Sequence, residues 1–157
     1  MEGPLLILDL DETIIWSTEE QPPCGFDFKA LGYFVTRRPH LDTFLLAVRR
    51  CYDLAVWSSS GDSYANRMVK EVFGDSAGLR FVWARSRCTQ RFGHETREYY
   101  FAKNLSKVKR RGFDLARVLI IDDSPEKVRS HFGNHLRLRA FEGQPGDRGA
   151  TRRASLS

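Results

Sequence analysis

Four short apolar runs punctuate the chain: Leu5-Leu6-Ile7-Leu8, Leu54-Ala55-Val56-Trp57, Phe81-Val82-Trp83 and Val118-Leu119-Ile120-Ile121. Each is bounded by polar residues and is too short for a helix. Such runs read as strands buried on both faces, as in a parallel sheet. Between them the apolar spacing becomes helical. Leu41, Phe44, Leu45 and Val48 recur at i, i+3, i+4 and i+7, behind Pro39 in a first turn and ahead of Arg49-Arg50 in a last turn. Ala65, Met68, Val69 and Val72 form a second stripe, with Gly74 as its stop. Phe101, Leu105 and Val108 mark a third helix ending near Gly112, and Ser124-Pro125 opens another running to about Phe132. Leu136, Leu138 and Ala140 alternate within His135–Phe141 as an edge strand would. Alternating strands and helices predict an α/β domain: a mainly parallel sheet, helices on both faces, right-handed crossovers.

Three stretches depart from this rhythm. Residues 16–36 hold Phe26, Phe28, Tyr33 and Phe34 with Gly25 and Gly32 at turn positions, and predict a small hairpin or flap beside the sheet. Residues 85–98 are polar and basic with little periodicity. From Glu142 the chain is Gly, Pro, Arg and Ser, with Leu156 its one large apolar residue. That composition predicts a disordered tail, 142–157, behind a domain spanning 1–141. The string Arg152-Arg153-Ala154-Ser155 fits a basophilic kinase, although a tail without function is the simpler account.

Composition narrows the classes. With 157 residues, 41% hydrophobic and 29% charged, the chain can build one real core. No apolar run nears the roughly 20 residues a membrane span needs, and a first strand this early predicts no signal peptide. Cys24, Cys51 and Cys88 are odd in number, widely spaced and outside any CxxC pair. They predict neither a disulfide framework nor a zinc site, but an intracellular, reducing compartment, cytoplasm or nucleus. Cys51, at a helix-to-strand junction, is expected to be a small buried hydrophobe. The net charge of +5 reads first as a solvated helix face around Lys107–Arg111 plus a basic tail, ahead of nucleic-acid binding. It would also draw a phosphorylated substrate toward an acidic, metal-loaded site.

Candidate chemistry collects at the strand ends. Asp9 and Asp11 follow the first run, Ser58 the second, and Asp122-Asp123 the fourth; Lys103, ahead of the fourth, can reach the same edge. In open α/β sheets that edge is where ligands bind. Clustered buried carboxylates call for a cation, and Mg²⁺ takes oxygen ligands, usually shared with a phosphate. One carboxylate can attack phosphorus and form an aspartyl-phosphate while a second passes protons; a hydroxyl and an ammonium would hold the phosphoryl oxygens. Ser59 is the fallback for Ser58, and Lys107 competes with Lys103. A calcium loop after Asp9 is excluded, since its glycine position holds Ile14.

Asp9-Leu10-Asp11-Glu12-Thr13 resembles the DxDx[TV] motif of haloacid dehalogenase superfamily phosphatases, with Ser58, Lys103 and Asp122-Asp123 at their second, third and fourth motifs. The chain is most similar to the small phosphatases of the RNA polymerase II C-terminal domain (FCP/SCP-like). That likeness rests on the LDLDET start, Arg38-Pro39-His40, Lys103-Asn104-Leu105 and Val118 to Pro125, and covers roughly residues 5 to 135. Those phosphatases usually carry Asp-Asn where this chain has Asp122-Asp123.

The resemblance implies a Rossmann-like sheet with a small flap and no large cap. It implies Asp9 as nucleophile and metal ligand, Asp11 as general acid/base with its backbone carbonyl on the metal, and Ser58 and Lys103 on the transferring phosphoryl group. Asp122 and Asp123 would complete the metal shell, and Thr13, Ser59 and Arg85 would lie toward substrate. The expected protein is a monomeric Mg²⁺-dependent phosphomonoester hydrolase acting on phosphoserine or phosphothreonine in a protein, without a membrane or nucleic-acid partner. A small-molecule phosphatase and a non-catalytic phosphopeptide- or nucleic-acid-binding module are the alternatives.

Overall fold

Leu5 to Leu8 are all at most 3% exposed, because both faces of the strand they form are covered. The computed structural model describes residues 3–75 and 78–150. In chain order the strands and α-helices are β1 Leu5–Leu8, β2 Ile15–Thr18, β3 Phe28–Ala30, β4 Tyr33–Arg37, α1 Leu41–Arg49, β5 Asp53–Trp57, α2 Asp62–Phe73, β6 Val82–Trp83, β7 Thr89–Gly93, β8 Glu98–Ala102, α3 Ser106–Arg110, β9 Val118–Asp122 and β10 His135–Arg137. Strands β10-β9-β1-β5-β6 form one parallel sheet with β1 at its centre.

Alternation along β1 sorts the core into two layers. Leu6 and Leu8 pack with Leu41, Phe44, Leu45 and Val48 of α1 and Ala65, Met68, Val69 and Val72 of α2. Leu5 and Ile7 face the other way, with Leu105, Val108 of α3 and Val128. Register then places the chemistry. Leu8 pairs with Val56 on one side and Ile121 on the other, so the next residues out of the sheet are Asp9, Trp57 and Asp122. The backbone of Asp9 still donates to Ile121 O at 3.1 Å, holding the two acidic strand ends level.

Several local expectations change. The flap is a three-stranded antiparallel sheet, β2-β4-β3, rather than a single hairpin. Pro39 lies outside α1, whose N-cap is His40 in the left-handed region at φ 67°. The helix expected from Phe101 begins only at Ser106, since Glu98–Ala102 pairs with Thr89–Gly93 as the hairpin β7–β8. The aromatic, strand-favouring run Tyr99-Tyr100-Phe101 explains that choice. The segment after Ser124 is 3₁₀ over Pro125–Asn134, with non-helical dihedrals at Val128 and His131. Cys51 is exposed rather than buried.

The segment from Glu142 to Ala150 packs against the domain instead of trailing from it. Phe141 and Ala150 are buried, and the Arg38 guanidinium, 2% exposed, binds the Asp147 carboxylate through Nε at 2.6 Å and Nη2 at 2.9 Å. The same guanidinium donates to Thr13 O and Arg139 O, tying the start of α1 to the loop after β1 and to the C-terminal segment. The Arg152–Ser155 string lies outside the described residues. Among the described residues no helix is long and apolar enough to cross a membrane.

Candidate active site

The loop leaving β1 is a tight turn. Leu10 O accepts from the backbone of Thr13, Ile14 and Ile15, and Glu12 adopts φ 65°. This turn keeps Asp9 at the sheet edge, brings Thr13 back beneath it, and sends Asp11 outward toward the flap. Thr13 Oγ1 donates to Asp9 Oδ2 at 2.8 Å and reaches Asp123 Oδ1 at 3.2 Å. From the end of β8, the fully buried Lys103 ammonium donates to Asp9 Oδ1 at 2.9 Å and to Asp122 Oδ2 at 2.5 Å.

Asp9, Asp122 and Asp123 each offer a carboxylate oxygen within 4.8 Å of the others. Among the described residues one ammonium, Lys103, is bonded within this trio. Burial would raise the Asp9 pKa, but the Lys103 charge, with Lys127 further off, holds it below the usual carboxylate value. Asp122 is pushed up by burial and by Asp9. Asp123 is pushed up to about 7, by burial and then by the charges of Asp9 and Asp122. An all-oxygen donor set left short of positive charge fits a small hard cation.

Asp11 stands apart from that trio. Its Oδ1 accepts from Tyr64 OH at 2.5 Å and from Ser17 Oγ at 3.4 Å, and Ser17 and Tyr64 bond to each other at 2.7 Å. Burial raises its pKa despite the Tyr64 hydrogen bond. The carboxylates two residues apart are therefore shifted in opposite directions, one kept ionised and one favoured as the acid.

Ser58 is buried at the end of β5, its Oγ 2.5 Å from Ser60 Oγ and accepting from Ser60 N. Ser59 Oγ accepts from Lys127 Nζ at 2.8 Å. Arg85 sits on the rim: its Nε donates to Ser59 O at 3.0 Å, and its guanidinium stacks 4.7 Å over the Phe101 ring. With Asp11, Tyr33 and Tyr64 it lines an open cleft of about 600 Å³. Lys107 is not part of the cluster; its ammonium bonds Arg87 O. All nine residues singled out in the sequence thus gather at one edge of the sheet. The sequence reading missed Tyr64, Ser17 and Lys127. Tyr64 lies in the first turn of α2, after the polar Ser58–Gly61 turn, a position that by itself does not point to Asp11. Lys127 lies two residues beyond Pro125, in the segment that follows Asp123.

A parallel sheet whose central strand ends in Asp9 and Asp11, with Lys103 and two further carboxylates closing on them, defines a haloacid dehalogenase-like phosphatase fold. The chain belongs to the NLI interacting factor-like phosphatase family, whose model matches residues 4–156. It is 31% identical over 158 residues to "CTD nuclear envelope phosphatase 1" of Xenopus laevis, an alignment covering 91% of this chain and 61% of that protein. It is 28% identical over 154 residues to "Nuclear envelope morphology protein 1" of Schizosaccharomyces pombe, covering 90% of this chain and 30% of that one. The chain therefore spans 61% of the length of the first of these relatives and 30% of the second. Among solved structures it is similar to a variant of the fission yeast RNA polymerase II CTD phosphatase Fcp1 bound to beryllium fluoride. There the TM-score is 0.64 and identity 20%, over 95% of this chain and 45% of that one. That likeness speaks for the fold.

Proposed function

We propose that this chain is the catalytic unit of a Mg²⁺-dependent protein serine/threonine phosphatase working through an aspartyl-phosphate. The opposite pKa displacements of Asp9 and Asp11 carry the reading. Asp9, ionised beside Lys103, attacks phosphorus; the new bond joins its carboxylate oxygen to phosphorus as the ester P–O bond breaks. Asp11 gives its proton to the departing oxygen. It then takes one from water, which attacks phosphorus and frees Asp9 with release of inorganic phosphate. Lys103 faces the equatorial oxygens where charge gathers, and Ser58 and Ser59 offer hydroxyls beside them.

Asp9, Asp122 and Asp123, with the Asp11 backbone carbonyl, would hold Mg²⁺. When bound, the ion would neutralise phosphoryl charge and relieve the repulsion among these carboxylates. The open cleft beside Asp11, lined by Tyr33, Tyr64 and Arg85, favours a residue in an extended protein segment as substrate.

The test is a hydrolysis panel of phosphoserine and phosphothreonine peptides, sugar phosphates and nucleotides, run with Mg²⁺ and with EDTA. Mg²⁺-dependent turnover strongest on peptides is expected. Preference for metabolites would move the substrate to small molecules. Hydrolysis unaffected by EDTA would overturn the metal assignment.

A further inference from the structure

Beyond the catalytic cluster lies a second cavity, of about 130 Å³, between the hairpin β7–β8 and the 3₁₀ segment Pro125–Asn134. Arg91, Lys103, Lys127 and Arg129 line it, against one carboxylate, Glu126. Its position is set by backbone: Lys103 N donates to Lys127 O at 2.7 Å, joining the end of β8 to the segment after Asp123. Lys103 spends its ammonium on Asp9 and Asp122, and Lys127 bonds Ser59 Oγ. Arg91 and Arg129 are exposed and, among the described residues, have no carboxylate within ion-pair distance. Isolated surface arginines are ordinarily just solvated. Here two of them, from different elements, converge with Lys127 on one concavity. Lys127 is also the residue that links this concavity to the phosphoryl site through Ser59. Converging donors of this kind recognise phosphate or carboxylate oxygens.

We propose that this cavity is a second anion subsite, which takes a negatively charged group flanking the phosphoresidue being cleaved. The inference rests on the phosphatase reading above and adds a substrate preference. The favoured substrate is a protein segment carrying a second phosphate, or an acidic side chain, a few residues from the first. Steering by the local positive field would act mainly on KM and would weaken with salt.

The test compares three synthetic phosphoserine peptides, with a second phosphoserine, an aspartate or an alanine in the flanking positions, at low and physiological salt. Wild-type protein is expected to give kcat/KM at least tenfold higher for the doubly phosphorylated peptide than for the alanine peptide, chiefly through KM. The double variant Arg91→Ala/Arg129→Ala should bring that ratio within about twofold of one while leaving p-nitrophenyl phosphate turnover unchanged. A wild-type ratio near one, or a ratio that survives the double variant, overturns the subsite. If no phosphoester is hydrolysed, the phosphatase reading fails separately. Fluorescence anisotropy with the same peptides then decides the subsite: tighter binding of the doubly phosphorylated peptide, lost in the double variant, supports it, and equal binding overturns it.

Discussion

Among the described residues Lys103 is the one ammonium hydrogen-bonded to the carboxylates of the site, and no part of its side chain reaches solvent. Lys103→Met should therefore act twice. It should lower kcat by a factor on the order of 10² to 10³, as loss of an oxyanion-type donor does. It should also cost about 3–5 kcal/mol in urea unfolding, as for other buried pairs left with one partner. Unchanged unfolding would mean that the carboxylates are neutralised without it. Asp123 gives a pH signature. Its folded pKa, about 7, lies above the 3.8 of an ordinary aspartate, so the folded protein holds this proton more tightly than the unfolded chain. Its contribution to metal-free stability is complete below 3.8 and is lost as pH rises through about 7. Asp122 and Asp11 act in the same direction, and Asp9 in the opposite one. A cation must displace the Asp123 proton, so Mg²⁺ affinity by calorimetry should rise about tenfold per pH unit below 7 and level off above it. A pH-independent affinity would remove Asp123 from the metal shell. Asp9, Ser58 and Asp122 were legible in the sequence because each directly follows a recognisable apolar run, and Asp11 because it stands two residues past Asp9. Tyr64 was not, since its bond to Asp11 depends on how α2 sits against the flap.

At the scale of elements, the ion pair between the buried Arg38 and the partly buried Asp147 anchors the C-terminal segment, alongside the buried Phe141 and Ala150. Asp147→Ala strips Arg38 of its carboxylate partner and should cost about 3–5 kcal/mol, read as a lower urea midpoint. Gly149 supplies a gentler probe. A Cβ there would stand 2.5 Å from Arg38 Nη2, so Gly149→Ala must push the guanidinium off its partner or shift the segment. Both variants should expose residues 142–150 to protease sooner than the sheet. Equal protease resistance would show that the segment docks by other contacts. None of this was visible in composition: Gly, Pro and Arg read as disorder until a buried guanidinium is found to need a counter-ion. The hairpin β7–β8 was hidden for a related reason. Its pairing joins an irregular basic stretch to an aromatic one that carried a helical spacing by chance, Phe101 with Leu105 and Val108. Helices α1 and α2 were plain because four buried positions on each followed a single period.

At the scale of the molecule, strand alternation was enough to predict the parallel sheet and the edge where its ligands bind. The order β10-β9-β1-β5-β6 was not predicted in detail, yet it is what sets Asp9 between Ser58 on one side and Asp122 on the other. Everything proposed for function converges on Asp9 as the atom donor to phosphorus. The direct measurement is to quench the protein during Mg²⁺-supported turnover of a phosphoserine peptide, reduce it with borohydride, and map the modified residue by mass spectrometry. The account predicts an acyl phosphate reduced at Asp9 alone, with both adduct and turnover absent in Asp9→Asn. Reduction at another residue, or continued turnover by Asp9→Asn, would contradict it.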